Sequence, residues 1–226
     1  MHGTGDAVRV VLFDYRKVFD IIDHHNLASK LFQLIIPLFI KSWVFNFLTD
    51  REQRVKLSRY FFSEWGKVPS GVPQGTKLGP SLFILMINDL IPPNVTTWKC
   101  IYDTTVSGVV PKNSSTFIQN VADAVQQWFL DNCLELNLGK CKELLIYFGR
   151  AATDSFSGVG ISGVHFEVVE HTKILGLTIS SNLKWNEYVS NIIKEANKRF
   201  YCSAKTCESP YLRHYQFLFH LYQTSS

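Results

Sequence analysis

Asp14 closes a run of apolar, β-branched residues, VRVVLFD, and Asp20 and Asp23 follow it. A carboxylate at the end of a buried strand can hold a hard divalent cation, which prefers oxygen ligands. The same residue can equally be a turn or helix cap. Asp103 stands in Tyr102-Asp103-Thr104-Thr105 between short apolar runs, either as a second carboxylate for such a cation or as ordinary turn chemistry. Between the two lies SGVPQGTKLGP, residues 70–80, with three glycines and two prolines. Its glycines allow close backbone approach to a ligand, and Gln74 and Lys77 could meet a base, sugar or phosphate; alternatively it is simply a loop. Asn137, Lys140 and Lys142 precede ELLIYF as an anion-contacting group or a solvated basic edge. His24 and His25 beside Asp23 read as the start of a helix rather than as a metal site.

Each of these residues needs an element to hold it. Val8 to Asp14 reads as a buried strand. His25 to Asp50 has helical spacing interrupted at Pro37, hence two helices joined by a turn. Arg54–Leu57 and Tyr60–Val68 are expected as a strand pair, and Leu82–Leu90 as a helix. Trp98–Val110 is expected as two strands around a tight turn at Asp103. Phe117–Asn132 is amphipathic through Phe117, Val121, Val125 and Trp128 and predicts a helix. ELLIYF predicts a strand, Arg150–Gly163 a surface loop, Val164–Ile179 strands, and Asn186–Phe200 a charged helix. This alternation of strands and helices argues for an α/β or α+β fold.

The 226 residues are 46% hydrophobic, 14% aromatic and 19% charged, which excludes a disordered or collagen-like chain. A net charge of +4 permits a polyanionic partner without demanding one. The five cysteines are odd in number and contain no C-x-x-C pair, so no zinc site is expected, and reduced thiols point to an intracellular, non-secreted protein. No signal peptide is read at the start. The apolar stretch Leu31–Leu48 is broken by Gln33, Pro37, Lys41, Ser42 and Asn46, which argues against a membrane span.

Taken in order, these segments resemble the reverse transcriptase of non-LTR, LINE-type retrotransposons of the jockey-like and CR1-like groups. The residues that carry the resemblance are FDYRKVFDIIDH, FLTDREQRVKL, SGVPQGTKLGPSLFILMINDL, IYDTTVSG, WFLDNCLELNLGKCKELLIYFG and VEHTKILGLTISSNLKWNEYV, spanning roughly residues 8 to 200. The resemblance implies an α+β right-hand polymerase palm, an antiparallel sheet packed on helices. It implies palm over residues 1–180 and a partial thumb over 181–226, without complete fingers. It further implies nucleotide addition to a DNA primer on an RNA template with two Mg²⁺ or Mn²⁺ ions about 3.5–4 Å apart.

By position, Asp14 and Asp103 match metal ligands, with the Tyr15 carbonyl completing one side. Phe19 matches the aromatic beneath the nucleotide sugar. Pro73, Gln74 and Gly75 match a loop contacting nucleotide and template. Lys140 matches a general acid for pyrophosphate, and Leu175, Gly176 and Leu177 a primer grip. No membrane partner is implied.

Two departures accompany the resemblance. The family's catalytic hairpin reads aromatic-Ala-Asp-Asp-Thr-Thr, whereas here Tyr102-Asp103-Thr104-Thr105 lacks two residues, one of them an Asp. A displacement of about 1 Å in a catalytic group can cost on the order of a hundredfold, so an impaired or inactive copy is expected. The pattern also starts at the first palm segment and decays after Phe200, which reads as a fragment without fingers or endonuclease. A non-catalytic nucleic-acid-binding remnant and a functionless fragment are the other readings.

Overall fold

Nearly every side chain of AVRVVLFD is β-branched or apolar, so the segment favours a strand with no face to give to water. In the computed structural model, which describes residues 7–100, 103–110, 116–147 and 158–206, it forms β1 (Ala7–Asp14) at the centre of a five-stranded sheet. After β1 come α1 (Val18–Ile21), α2 (His24–Gln33), α3 (Leu38–Leu48), β2 (Glu52–Gln53) and β3 (Gly66–Lys67). Next are α4 (Leu78–Ile87), β4 (Thr96–Lys99), β5 (Asp103–Val110) and α5 (Thr116–Asp131). A 3-10 turn at Leu138–Lys140 leads into β6 (Lys142–Tyr147). The remaining elements are β7 (Gly160–Ile161), β8 (Val164–His165), β9 (Glu167–Val169), β10 (His171–Ile174), β11 (Leu177–Ser180) and α6 (Asn186–Thr206).

The sheet order is β4-β5-β1-β6-β9. Four strands run antiparallel to their neighbours, but β9 lies parallel to β6, with Lys142 opposite Glu167. The antiparallel sheet packed on helices that the resemblance implies is thus present, with one parallel strand added at its edge. The reason is the extra hairpin β7–β8, which reverses the chain once more before it reaches the sheet edge.

Alternation along β1 sends its side chains to two different places. Val11 and Phe13 join the main core with Leu27 of α2, Phe83 and Met86 of α4, and Val125 and Phe129 of α5. Val10 faces the other way, in a second cluster with Leu144 and Ile146 of β6, against which Val8, Leu12, Ile174 and Ile179 pack. The sheet is thus covered by helices on one face and by the β10–β11 hairpin on the other. On the helix face Arg9 and Glu143 form a fully buried ion pair, and the second Glu143 oxygen accepts the Val159 amide at 3.2 Å. That extra hydrogen bond offsets part of the cost of taking the carboxylate out of water.

The two helices around Pro37 form as the sequence predicts, with Asp23 capping α2 through the Asn26 amide at 2.7 Å. α5 and α6 also form where expected. Other expectations change. α4 begins at Leu78, because the Thr76 hydroxyl accepts the Gly79 amide and nucleates the turn earlier. The strand pair expected over Arg54–Leu57 and Tyr60–Val68 shrinks to β2, β3 and a single Lys56–Phe62 bridge. A lone two-stranded ribbon with both faces in water gains too little to extend further. Within the expected loop 150–163, Gly160–Ile161 is a strand, while residues 150–157 lie outside the described residues, as do Tyr102 and the stretch 207–226.

Candidate active site

β1 and β5 pair so that Asp14 is the direct partner of Asp103. Asp103 exchanges both backbone hydrogen bonds with Cys100, at 2.8 and 3.3 Å, so its peptide groups point to β4 and not to β1. Asp14 for its part gives its carbonyl to the Asn137 amide at 2.9 Å. The two aspartates therefore form a non-hydrogen-bonded pair, the type that brings side chains closest, with Cα atoms about 4.5 Å apart. Asp103 begins a strand rather than standing in the turn that the sequence predicts, because its carbonyl and amide close the β4–β5 hairpin.

Both carboxylates open onto a cleft of about 440 Å³ between the sheet and the β10–β11 hairpin. Lys140, Lys142, His171 and Lys173 line the same cleft, and Asn191 of α6 reaches it from the far side. Lys140 arrives there because the 3-10 turn carries it beside the end of β1: the Lys140 amide binds the Asn137 carbonyl at 2.9 Å. Desolvation raises the Asp103 pKa above its ordinary 3.8, and the neighbouring Asp14 charge raises it further. His171 and Lys173 were not marked by the sequence reading. Their i, i+2 spacing on a short strand is the available signal, since it places both on one side.

The back of this carboxylate pair is anchored. Tyr15, next to Asp14, turns its ring into the core against Phe83 and Phe129, at centroid distances of 5.9 and 5.0 Å. Its hydroxyl hydrogen-bonds Thr104, the neighbour of Asp103, and burial pushes the phenol far above its usual range. The Arg16 amide binds the Glu135 carbonyl at 3.0 Å. Together with the Asn137–Asp14 bond, this sends the Tyr15 carbonyl toward the Asp103 side of the strand. Cys141 lies beneath the same region, its thiol pushed up to about 11 chiefly by burial.

The other predicted site residues lie outside this cleft, although Leu175 lines a smaller adjoining pocket with Asp103 and Lys173. Phe19 is buried on Phe83 at 5.3 Å and does not line the cleft. Gln74 is exposed and donates to Asp20 at 3.1 Å. Pro73 accepts the Thr76 hydroxyl at 2.9 Å, and Gly75 has φ +77 with open space around it. Leu175 and Gly176, at φ 48 and 89, form the tight turn between β10 and β11, and Leu177 starts β11. Both Asp14 and Asp103 are hard oxygen donors on one side of the sheet, and the Tyr15 carbonyl is directed to the same strand. That set fits one divalent cation. Among the described residues no group of three or more His, Cys, Asp or Glu is placed to hold a metal ion, and two carboxylates fall short of the charge needed to hold two ions.

A central antiparallel core of strands with paired carboxylates over a cleft, backed by helices, defines a right-hand polymerase palm. The family model described as "Reverse transcriptase (RNA-dependent DNA polymerase)" matches residues 2–179, and the chain belongs to that family. It is 28% identical over 193 residues to the RNA-directed DNA polymerase from mobile element jockey of Drosophila melanogaster, covering 79% of this chain and 20% of that protein. To the probable RNA-directed DNA polymerase from transposon BS of the same organism it is 22% identical over 204 residues, covering 84% and 22%. The domain is thus of the LINE-type, non-LTR retrotransposon kind, and the chain spans about a fifth of the length of these relatives. Among solved structures, apo telomerase from Candida tropicalis truncated from its C-terminal domain shares the fold, with TM-score 0.57 and 13% identity over 79% of this chain and 35% of that one. Telomerase from Candida albicans, in complex with the TWJ fragment of telomeric RNA, gives TM-score 0.52 and 13% identity over 78% and 31%. Among the described residues no helix is long and apolar enough to cross a membrane.

Proposed function

We propose that this chain is the palm (residues 1–180) and the beginning of the thumb (181–226) of an RNA-directed DNA polymerase, acting on an RNA template, a DNA primer and deoxynucleoside triphosphates, and that this copy is catalytically impaired. The observation that carries the reading is the Asp14–Asp103 pair, in register at the mouth of a cleft that also holds Lys140. Asp14, Asp103 and the Tyr15 carbonyl would hold a divalent ion, Mg²⁺ or Mn²⁺. Such an ion supplies charge neutralisation and activation of an attacking hydroxyl. Lys140, which lines the cleft, would give a proton to the pyrophosphate leaving group. Lys142 and Lys173 add positive charge for the phosphates along the cleft.

Impairment follows from the carboxylate count: two negative charges sit where a pair of divalent ions would bring four positive ones. Pro73, Gln74 and Gly75 are assigned to nucleotide and template contact, Phe19 to shaping the sugar site from below, and Leu175 to Leu177 to the primer. The test is primer extension on an RNA template with Mg²⁺ or Mn²⁺, against an Asp14→Ala control. Weak incorporation that rises when Ala-Asp is inserted between Tyr102 and Asp103 supports the reading. Incorporation no greater than in the control, before and after that insertion, refutes catalysis. Salt-dependent RNA binding without incorporation favours the non-catalytic alternative, for which the small carboxylate set speaks.

A further inference from the structure

Outside the cleft, the strongest feature of the surface is the ribbon between Arg51 and Lys67. Five of its seventeen residues are basic and two acidic, so it carries three of the chain's four net positive charges. Its rings are in water rather than in a core: Tyr60 is 79% exposed and Trp65 58%. The cations are placed on those rings. The Arg54 guanidinium lies 4.1 Å from the Phe62 centroid and 4.6 Å from that of Trp65. Lys56 stands 5.8 Å over Phe62 and Arg59 5.6 Å over Tyr60. None of these residues lines the cleft.

We propose that this ribbon is a stacking platform for single-stranded RNA, a second nucleic-acid contact separate from the cleft. A flat ring in water with a guanidinium beside it offers a base a face to stack on and a phosphate a cation, and every base has such a face. The Arg54 contacts to Phe62 and Trp65 hold the group in place beforehand, which lowers the ordering cost on binding. Charge separates this surface from a protein-docking one. The adjacent α3 also exposes Phe39 and Trp43, but its single cation, Lys41, is engaged by the Phe32 carbonyl at 2.8 Å. On the ribbon, Arg54, Lys56 and Arg59 stand over the exposed rings themselves. The platform does not depend on surviving catalysis.

The experiment is fluorescence anisotropy of the full chain with a labelled oligouridine of about 12 nucleotides, within the span one such platform covers. Tyr60→Ala with Trp65→Ala, removing two stacking rings, weakens binding by about thirtyfold or more. Arg54→Ala with Lys56→Ala lowers the slope of log affinity against log salt by about 1.4, two cations at roughly 0.7 each. Arg54→Lys, which keeps the charge and loses the planar stack, weakens binding with the slope unchanged. These side chains are at the surface, and circular dichroism verifies that each variant is folded. Ring variants that bind oligouridine as the parent does overturn the proposal. So do ring variants that abolish self-association in gel filtration without altering RNA affinity, which would make the face a contact between copies. A chain that incorporates no more than the Asp14→Ala control, before and after the Ala-Asp insertion, yet binds oligouridine through these rings refutes catalysis and leaves this proposal standing.

Discussion

Asp14 and Asp103 face each other across β1 and β5 as a non-hydrogen-bonded pair, so two like charges share the closest spacing that a sheet offers. Such pairs are destabilising. Desolvation first, and Asp14 second, hold the Asp103 pKa above 3.8. The folded protein then binds its proton more tightly than the unfolded chain, and stability falls as pH rises from 3.8 through the folded value. Asp103→Asn is therefore expected to stabilise by about 0.2–1 kcal/mol at neutral pH. The gain disappears below pH 3.8, as thermal melts across the pH range would show. Mg²⁺ raises the melting temperature of the parent chain and not of this variant.

Arg9 and Glu143 are buried together. Losing either partner strands a charge, and Arg9→Met or Glu143→Leu alone is expected to cost about 3–5 kcal/mol in urea denaturation. The double variant recovers most of that. A residue of about 1–3 kcal/mol remains, because the Val159 amide loses its acceptor.

Two glycines of the SGVPQG segment share a positive φ and differ in surroundings. Gly75 has open space, so Gly75→Ala costs only the left-handed backbone, about 1–2 kcal/mol. At Gly71, φ +82, a Cβ would stand 2.5 Å from the Phe19 carbonyl oxygen. The Gly71 carbonyl also receives Arg51 at 3.0 Å and the His24 ring at 2.7 Å. Gly71→Ala is expected to lose at least about twice as much as Gly75→Ala, read from the two urea midpoints.

Cys133 is exposed and Cys141 buried, and burial pushes the Cys141 thiol up to about 11. Since the thiolate is the reactive form, iodoacetamide at pH 8 labels Cys133 rapidly and leaves Cys141 unmodified in the native chain. Mass spectrometry checks this, and denaturant brings Cys141 to the rate of Cys133.

Local pattern carried much of this architecture. VRVVLFD is apolar on both sides and ends on a carboxylate, which is the signature of a central strand with a site at its tip. The 3.6-residue spacing of Phe117, Val121 and Val125 defined α5 for the same reason. Register is different in kind. Nothing near Asp103 in the chain says that it will stand opposite Asp14, since that follows from pairing eight residues of β5 with eight of β1. His171 and Lys173 reach the cleft only because β10 folds over the sheet, a tertiary event with no local trace. Phe19, matched by the resemblance to the aromatic beneath the sugar, packs on Phe83 in the core, a contact with no local trace. The exposed ribbon looked like paired strands because its residues have high β propensity, yet no second layer covers it.

The β10–β11 hairpin roofs the cleft but is a sheet of its own. It shares no ladder with β1 or β6, and Ile174 and Ile179 hold it there by packing on Val10, Leu144 and Ile146. The contact between roof and floor is accordingly one of packed aliphatic side chains, which has no fixed direction. Widening the cleft would break no interstrand amide bond between this hairpin and β1 or β6, while the floor keeps both aspartates in register on the β1–β5 ladder.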